Sequence, residues 1–238
     1  MLRFWDRAQV APRDHGWTVL LDGKPLRIPG AAQGGRELII NTAALADAIA
    51  EEWQAAGGQK GGTIGMESVP LTRVAGTAQD RIAPAPAAVA LALAAYAESD
   101  LLCYRAEHPQ ALAVRQAEKW NTWLDWLEQA HGVRLEVAEG ILHRAQDPGA
   151  LARIATVYGA MDPMLLAALG IAVPAMGSAV LGLALASGAL DAETAFTVSS
   201  LDELFQAEKW GEDAEATHRR QNVRGDLALA ERFIGLSR

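Results

Sequence analysis

Between Asp162 and Asp191 of this 238-residue chain no charged residue occurs. A run of that length is buried either in a protein core or in a bilayer. Pro174 interrupts it, Gly170, Gly177, Gly182 and Gly188 dilute it, and no cluster of Lys or Arg flanks either end. Those features favour a core over a membrane span, so the run is read as two buried helices, at about 163–172 and 175–187.

The rest of the chain divides by its periodicities. Residues 3–10 and 16–21 have strand-like content, and Asp22-Gly23 is a strong turn signal leading into Pro25-Leu26-Arg27-Ile28-Pro29. A turn at Gln33-Gly34-Gly35 precedes a further strand at 37–41. Asn41 or Thr42 then caps a helix to about residue 56, with Leu45, Ile49 and Trp53 on its apolar face. The flexible loop at 57–62 marks a boundary. The fold class expected is α+β: a small antiparallel β-rich domain with one helix at 1–65, and a larger, mainly helical domain at 66–238.

In that larger part, helices are expected at 71–82, from Pro84-Ala-Pro86 to about Ser99, at 109–131, and after the Asp147-Pro148 cap. Residues 101–105 read as a short strand or connector, and 133–142 as an irregular strand or two. Leu112, Trp120, Trp123 and Leu127 share a face of the long helix, which points to core packing. Asp191 caps the helix that follows the charge-free run, and a final amphipathic helix carries Val223, Leu227 and Ile234.

A net charge of -8 and the lack of clustered Lys and Arg argue against a nucleic-acid partner. The single cysteine, Cys103, excludes an internal disulfide and a cysteine-based metal site, and fits a reducing compartment. The histidines lack the spacing that puts two ligands on one helix face. There is neither a phosphate-cradling glycine pattern nor a Gly-x-Ser-x-Gly elbow. The expectation is a protein without cofactor or metal, and not an enzyme.

The stretch at 199–216 has an unusual balance. Laid on one helix, Leu201, Leu204 and Phe205 begin an apolar track that Glu208, Glu212 and Glu215 continue. Carboxylates four apart cost an isolated helix about 0.2–0.5 kcal/mol, and a glycine such as Gly211 inside it costs about 1 kcal/mol. Alternatively the helix shifts phase near Gly211, turning Ala207, Trp210 and Ala214 to the core and the carboxylates to water. Glu208 and Glu212 also have acid/base capacity, which leaves a carboxylate-dependent small-molecule hydrolase, or a generic helical interaction domain, as alternatives.

The segment Ser199-Ser-Leu-Asp-Glu-Leu-Phe-Gln-Ala-Glu-Lys-Trp-Gly-Glu-Asp213 resembles the signature of the assembly chaperones for the alpha subunit of the catalytic head of F-type ATP synthase, found in mitochondria and some bacteria. Arg3-Phe4-Trp5, Leu21-Asp22-Gly23-Lys24-Pro25-Leu26, Ala50-Glu-Glu-Trp53, Pro70-Leu-Thr-Arg73, Ser99-Asp-Leu-Leu-Cys-Tyr-Arg105 and the segment from Trp120 through Trp126 agree in order and spacing. The chain departs from the pattern at Asn121-Thr122 and in its glycine-rich loop at 57–65.

The resemblance implies the same β-rich then helical order, and a chaperone that binds unassembled alpha subunit without hydrolysing ATP itself. On that reading Trp210 supplies contact area, while Glu208, Glu212, Asp213 and Glu215 meet basic residues of the client. Trp53 is a further partner-binding candidate, with packing between the two domains as its rival. An internal ion pair with Arg73, Arg81 or Arg105 is the rival for Glu212. Asp100 and Arg105 are read as structural. A monomer without stable membrane insertion is expected, in the bacterial cytoplasm or, for a mature organellar form, the mitochondrial matrix.

Overall fold

The computed structural model describes residues 1–28, 35–140 and 142–238. Pro29 and most of the turn expected at Gln33-Gly34-Gly35 lie outside them. Two compact units emerge: Met1–Ala85 with Pro163–Ala168 and Arg232–Arg238, and Pro86–Asp162 with Leu169–Glu231. The sequence suggests a division at 65/66 instead; the helix after the glycine-rich loop lies within the first unit.

In the first unit β1 (Ala8–Arg13) pairs antiparallel with β2 (Gly16–Leu21), and β2 with β3 (Lys24–Pro25). The second hairpin turns on Asp22 and Gly23, both at positive φ, 47° and 80°, the geometry that matches strand twist in a two-residue turn. The Asp22 carboxylate also accepts the N–H groups of Asp6 and Arg7, at 3.0 and 2.9 Å. Those bonds hold it below the usual carboxylate range. β4 (Arg27–Ile28) pairs with β5 (Arg36–Glu37). The strand expected over 37–41 is therefore mostly an extended connection, joined to β2 by a bridge from Ile40 to Trp17.

The expected strand at 3–10 begins only at Ala8, because Arg3 is engaged elsewhere. Its N–H donates to Gly62 O and its carbonyl accepts from Gly61 N. Its buried guanidinium donates to the carbonyls of Gln54, Ala56 and Gly58, at 2.8, 3.1 and 2.8 Å. These lie at the end of α1 (Ala43–Ala55), where helix carbonyls lack partners and a cation is favoured.

Thr42 caps α1. The Ala50-Glu-Glu-Trp53 block fastens it to α2 (Pro70–Thr77). Glu52 accepts the first-turn N–H groups of Leu71 and Thr72, and Trp53 Nε1 donates to Thr72 Oγ1 at 2.8 Å. Burial raises the Glu52 carboxyl above its ordinary range, against the pull of those hydrogen bonds. Trp5 packs on Trp53, 5.1 Å between ring centroids, and donates to its carbonyl.

The second unit opens with α3 (Pro86–Ala94), followed by two short 3₁₀ turns and β6 (Tyr104–Arg105), which pairs parallel with β7 (Ala138–Glu139). Then come α4 (Gln110–His131), α5 (Pro148–Gly159), α6 (Pro163–Met176), α7 (Ala179–Ser187), α8 (Ala192–Ser199), α9 (Leu201–Trp210) and α10 (Ala214–Leu236). Residues of α6 and α10 belong to both units.

The charge-free run thus forms α6 and α7, of 14 and 9 residues. Pro174 does not end the first helix as expected. It sits in the last turn, and the chain leaves the helix at Gly177, whose φ is 63°. Residues 179–186 are all buried. Tyr158 of α5 donates to Ala179 O at 2.8 Å. Its hydroxyl comes so close to α7 that a Cβ on Gly182 would stand 2.6 Å from it, which requires glycine there.

Asp100 anchors the turn after α3 to the start of α7. Fully buried, it accepts from Ser178 Oγ (2.7 Å), Leu102 N (3.1 Å) and Val180 N (3.1 Å). In α4, Leu112, Trp120 and Leu127 are buried while Trp123 is only half-buried. Trp120 Nε1 donates to Val198 O of α8 at 3.0 Å. Arg105 stacks over Trp120 at 5.1 Å and donates to Asn121, one of the positions where the chain departs from the family pattern. These contacts agree with structural roles for Asp100 and Arg105.

Candidate docking surface

The stretch at 199–216 is not one helix. α9 ends at Trp210, Gly211 adopts a φ of 91°, and Asp213 caps α10 by accepting Ala216 N at 2.8 Å. Gly211 therefore sits where a positive φ is needed, not within a helix at a cost. Of the phase-shifted alternative only the exposure of the carboxylates survives: Glu208, Glu212 and Glu215 face water, but Trp210 and Ala214 do too. The apolar track stops at Phe205, and Trp210 turns outward, 78 % exposed. That is unusual for the largest apolar side chain.

Trp210 forms one wall of an open cleft of about 180 Å³ between α9 and α10, with Gln206, Ala207 and Ala216 alongside. Its floor is Arg220, whose buried guanidinium bonds to the Glu212 carboxylate and donates to Thr217 Oγ1 at 3.2 Å. Thr217 in turn donates to Glu212 at 2.6 Å. On the α9 side, Glu203 pairs with Arg219 at 2.9 Å and lies 3.8 Å from Arg220.

Glu212 is therefore held by an internal arginine, but by Arg220 and not by Arg73, Arg81 or Arg105. Glu208 faces away from that pair. It bonds through both oxygens to one nitrogen of Arg115, at 2.8 Å, and Arg115 stacks on Phe205. Such exposed pairs contribute about 0–1 kcal/mol. Asp213 and Glu215 are exposed and enter no ion pair among the described residues.

Five of the six residues expected to bind a partner, Glu208, Trp210, Glu212, Asp213 and Glu215, gather at this junction. Trp53 belongs to the first unit and is 4 % exposed. Sequence reasoning did not foresee Arg115, Arg219 and Arg220, or the half-buried Asp202, which accepts from Gln116 Nε2 at 2.8 Å. The adjacent arginines within an acidic region were the available signal. Glu208 and Glu212 lie on opposite sides of the break, each bound to an arginine, and do not form a paired acid and base. Among the described residues no cluster of metal-ligating side chains occurs.

The sequence profile of the ATP12 chaperone protein family matches residues 2–128. The crystal structure of Atp12 from Paracoccus denitrificans is 41 % identical, with a TM-score of 0.93, covering 100 % of this chain and 98 % of that one. A point variant of the same Paracoccus protein gives 40 % identity at the same TM-score and coverage. A candidate chaperone from Agrobacterium tumefaciens is 39 % identical with a TM-score of 0.88, covering 99 % of this chain and 85 % of that one. By profile and by full-length likeness, the chain belongs to the ATP12 chaperone family.

Proposed function

We propose that this chain is an assembly chaperone of the F-type ATP synthase that holds the unassembled alpha subunit until the beta subunit takes its place. The observation that carries the reading is the exposed Trp210 beside an open cleft, flanked by the exposed carboxylates of Asp213 and Glu215, which enter no ion pair among the described residues. A large aromatic in water next to uncompensated charge suits a partner that supplies an apolar surface and basic residues. Carboxylates at the rim raise the association rate and fix orientation, and leave the contact sensitive to salt, so the client can depart.

Holding a client requires no turnover by the holder, and Glu208 and Glu212 are each bonded to an arginine and not to one another. The test is retention on the immobilised full-length chain, offering alpha and beta subunits separately. Alpha subunit retained at low salt and released as salt rises, with beta subunit passing through, is the expected result. Equal retention of beta subunit, or retention of neither, would overturn the assignment.

A further inference from the structure

The first unit carries a second open surface of opposite character. A groove of about 450 Å³ is floored by buried Leu21, Leu26, Ile28 and Trp53, with Phe4 and Met66 exposed on its sides at 46 % and 48 %. Lys24 and Arg27 stand on its rim. Ile28, Met66 and Thr72 also line an adjoining cleft that contains Arg73 and Arg81. Among the described residues, Asp80 is the one carboxylate lining either cavity.

Lys24, Arg27, Arg73 and Arg81 are exposed, and none enters an ion pair among the described residues. Lys24 lies over the Phe4 ring at 5.7 Å and Arg27 donates to Gly35 O at 3.0 Å; in a chain of net charge -8, four cations without a carboxylate partner around one apolar trough are a local reversal of sign. Phe4 and Met66, left in water beside a concave apolar floor, offer a partner apolar contact, and the charge around them selects the occupant.

We propose that this groove takes an extended segment of the client polypeptide in which one or two bulky apolar side chains are flanked by carboxylates. Two adjoining cavities sharing a wall suit a chain that spans both, with the apolar side chain over Trp53 and the acidic flanks among the cations. The proposal deepens the chaperone reading and rests on it. A second contact of opposite charge to the Trp210 cleft would fix the client's orientation as well as its affinity.

Fluorescence anisotropy of labelled peptides tests it on the full-length protein. The probe holds Leu-Phe flanked by two aspartates on each side; its counterpart has lysines in their place. The acidic peptide is expected to bind, to weaken with salt, and to lose roughly tenfold or more of its affinity on Arg73→Glu with Arg81→Glu. The double variant changes only exposed side chains, and Met66→Ala gives an independent apolar lesion expected to weaken the same peptide.

Equal binding of the lysine peptide, or no loss in the variants, would overturn the proposal. So would wild-type self-association abolished by the same substitutions, because the groove would then hold a second copy of this chain. Peptide binding that follows the prediction while alpha subunit is not retained would sink the chaperone assignment and leave the groove's chemistry standing. Retention of alpha subunit without peptide binding would do the reverse.

Discussion

Replacing Trp210 with alanine is expected to weaken capture of the alpha subunit by about 30-fold or more, since an aromatic anchor at the centre of a contact is worth about 2 kcal/mol or more. Thermal unfolding should hardly move: the side chain is 78 % exposed, and surface changes of that kind stay within about 0.5 kcal/mol. This separation of binding from folding makes Trp210 a better probe than Glu212. Glu212→Lys would set a second cation against Arg220, whose side chain is only 9 % exposed, and so would disturb the cleft while removing a rim charge. Glu215→Lys, at an exposed position outside the ion pairs, isolates the charge contribution. Binding measured by calorimetry or anisotropy, beside melting curves of the same variants, checks this. Unchanged affinity in Trp210→Ala would remove the α9–α10 junction from the contact.

The second large effect concerns stability. Asp100→Ala should cost about 3–5 kcal/mol, because it strips the acceptor from Ser178 Oγ, Leu102 N and Val180 N in a site closed to water. The loss should appear in hydrogen exchange as faster exchange of the Leu102 and Val180 amides. Burial raises the Asp100 carboxyl from 3.8 to about 6, opposed by the hydrogen bonds from Ser178, Val180 and Leu102.

The sign follows from proton binding. Between those two values the folded state holds the proton more tightly than the unfolded one, so this group's stabilisation is full below about pH 4 and lost as pH rises through about 6. The difference between wild type and Asp100→Asn should therefore be larger at pH 4.5 than at pH 7.5, by about 2–3 kcal/mol at most. A difference independent of pH would show that Asp100 is ionised throughout.

Local signals made much of the fold legible. Thr42, Asp147 and Asp191 cap α1, α5 and α8 where a short polar residue precedes an apolar period, and Asp22-Gly23 makes its turn. The charge-free run could only be hidden, and residues 179–186 are. What escaped depends on distance or on a single dihedral. That the helix stops at Trp210 follows from the φ of Gly211, which composition does not encode; Trp210 itself faces outward because it lies five residues beyond buried Phe205, on the far side of α9. Arg220 reaches back along the first turns of α10 to Glu212, which precedes that helix, so no helical spacing predicts the pair. Arg3 reads as part of a strand, yet its guanidinium is spent on carbonyls more than fifty residues away. The groove over Trp53 is assembled from five separate stretches of chain, none of them apolar enough alone to announce a surface.

The most direct measurement is light scattering from isolated alpha subunit after dilution into low-salt buffer, with and without this protein in slight excess. Alpha subunit that stays clear and soluble with the wild-type chain, but clouds with Trp210→Ala, is the predicted result. Clouding at the same rate whether or not the wild-type chain is present would contradict a role in holding this subunit.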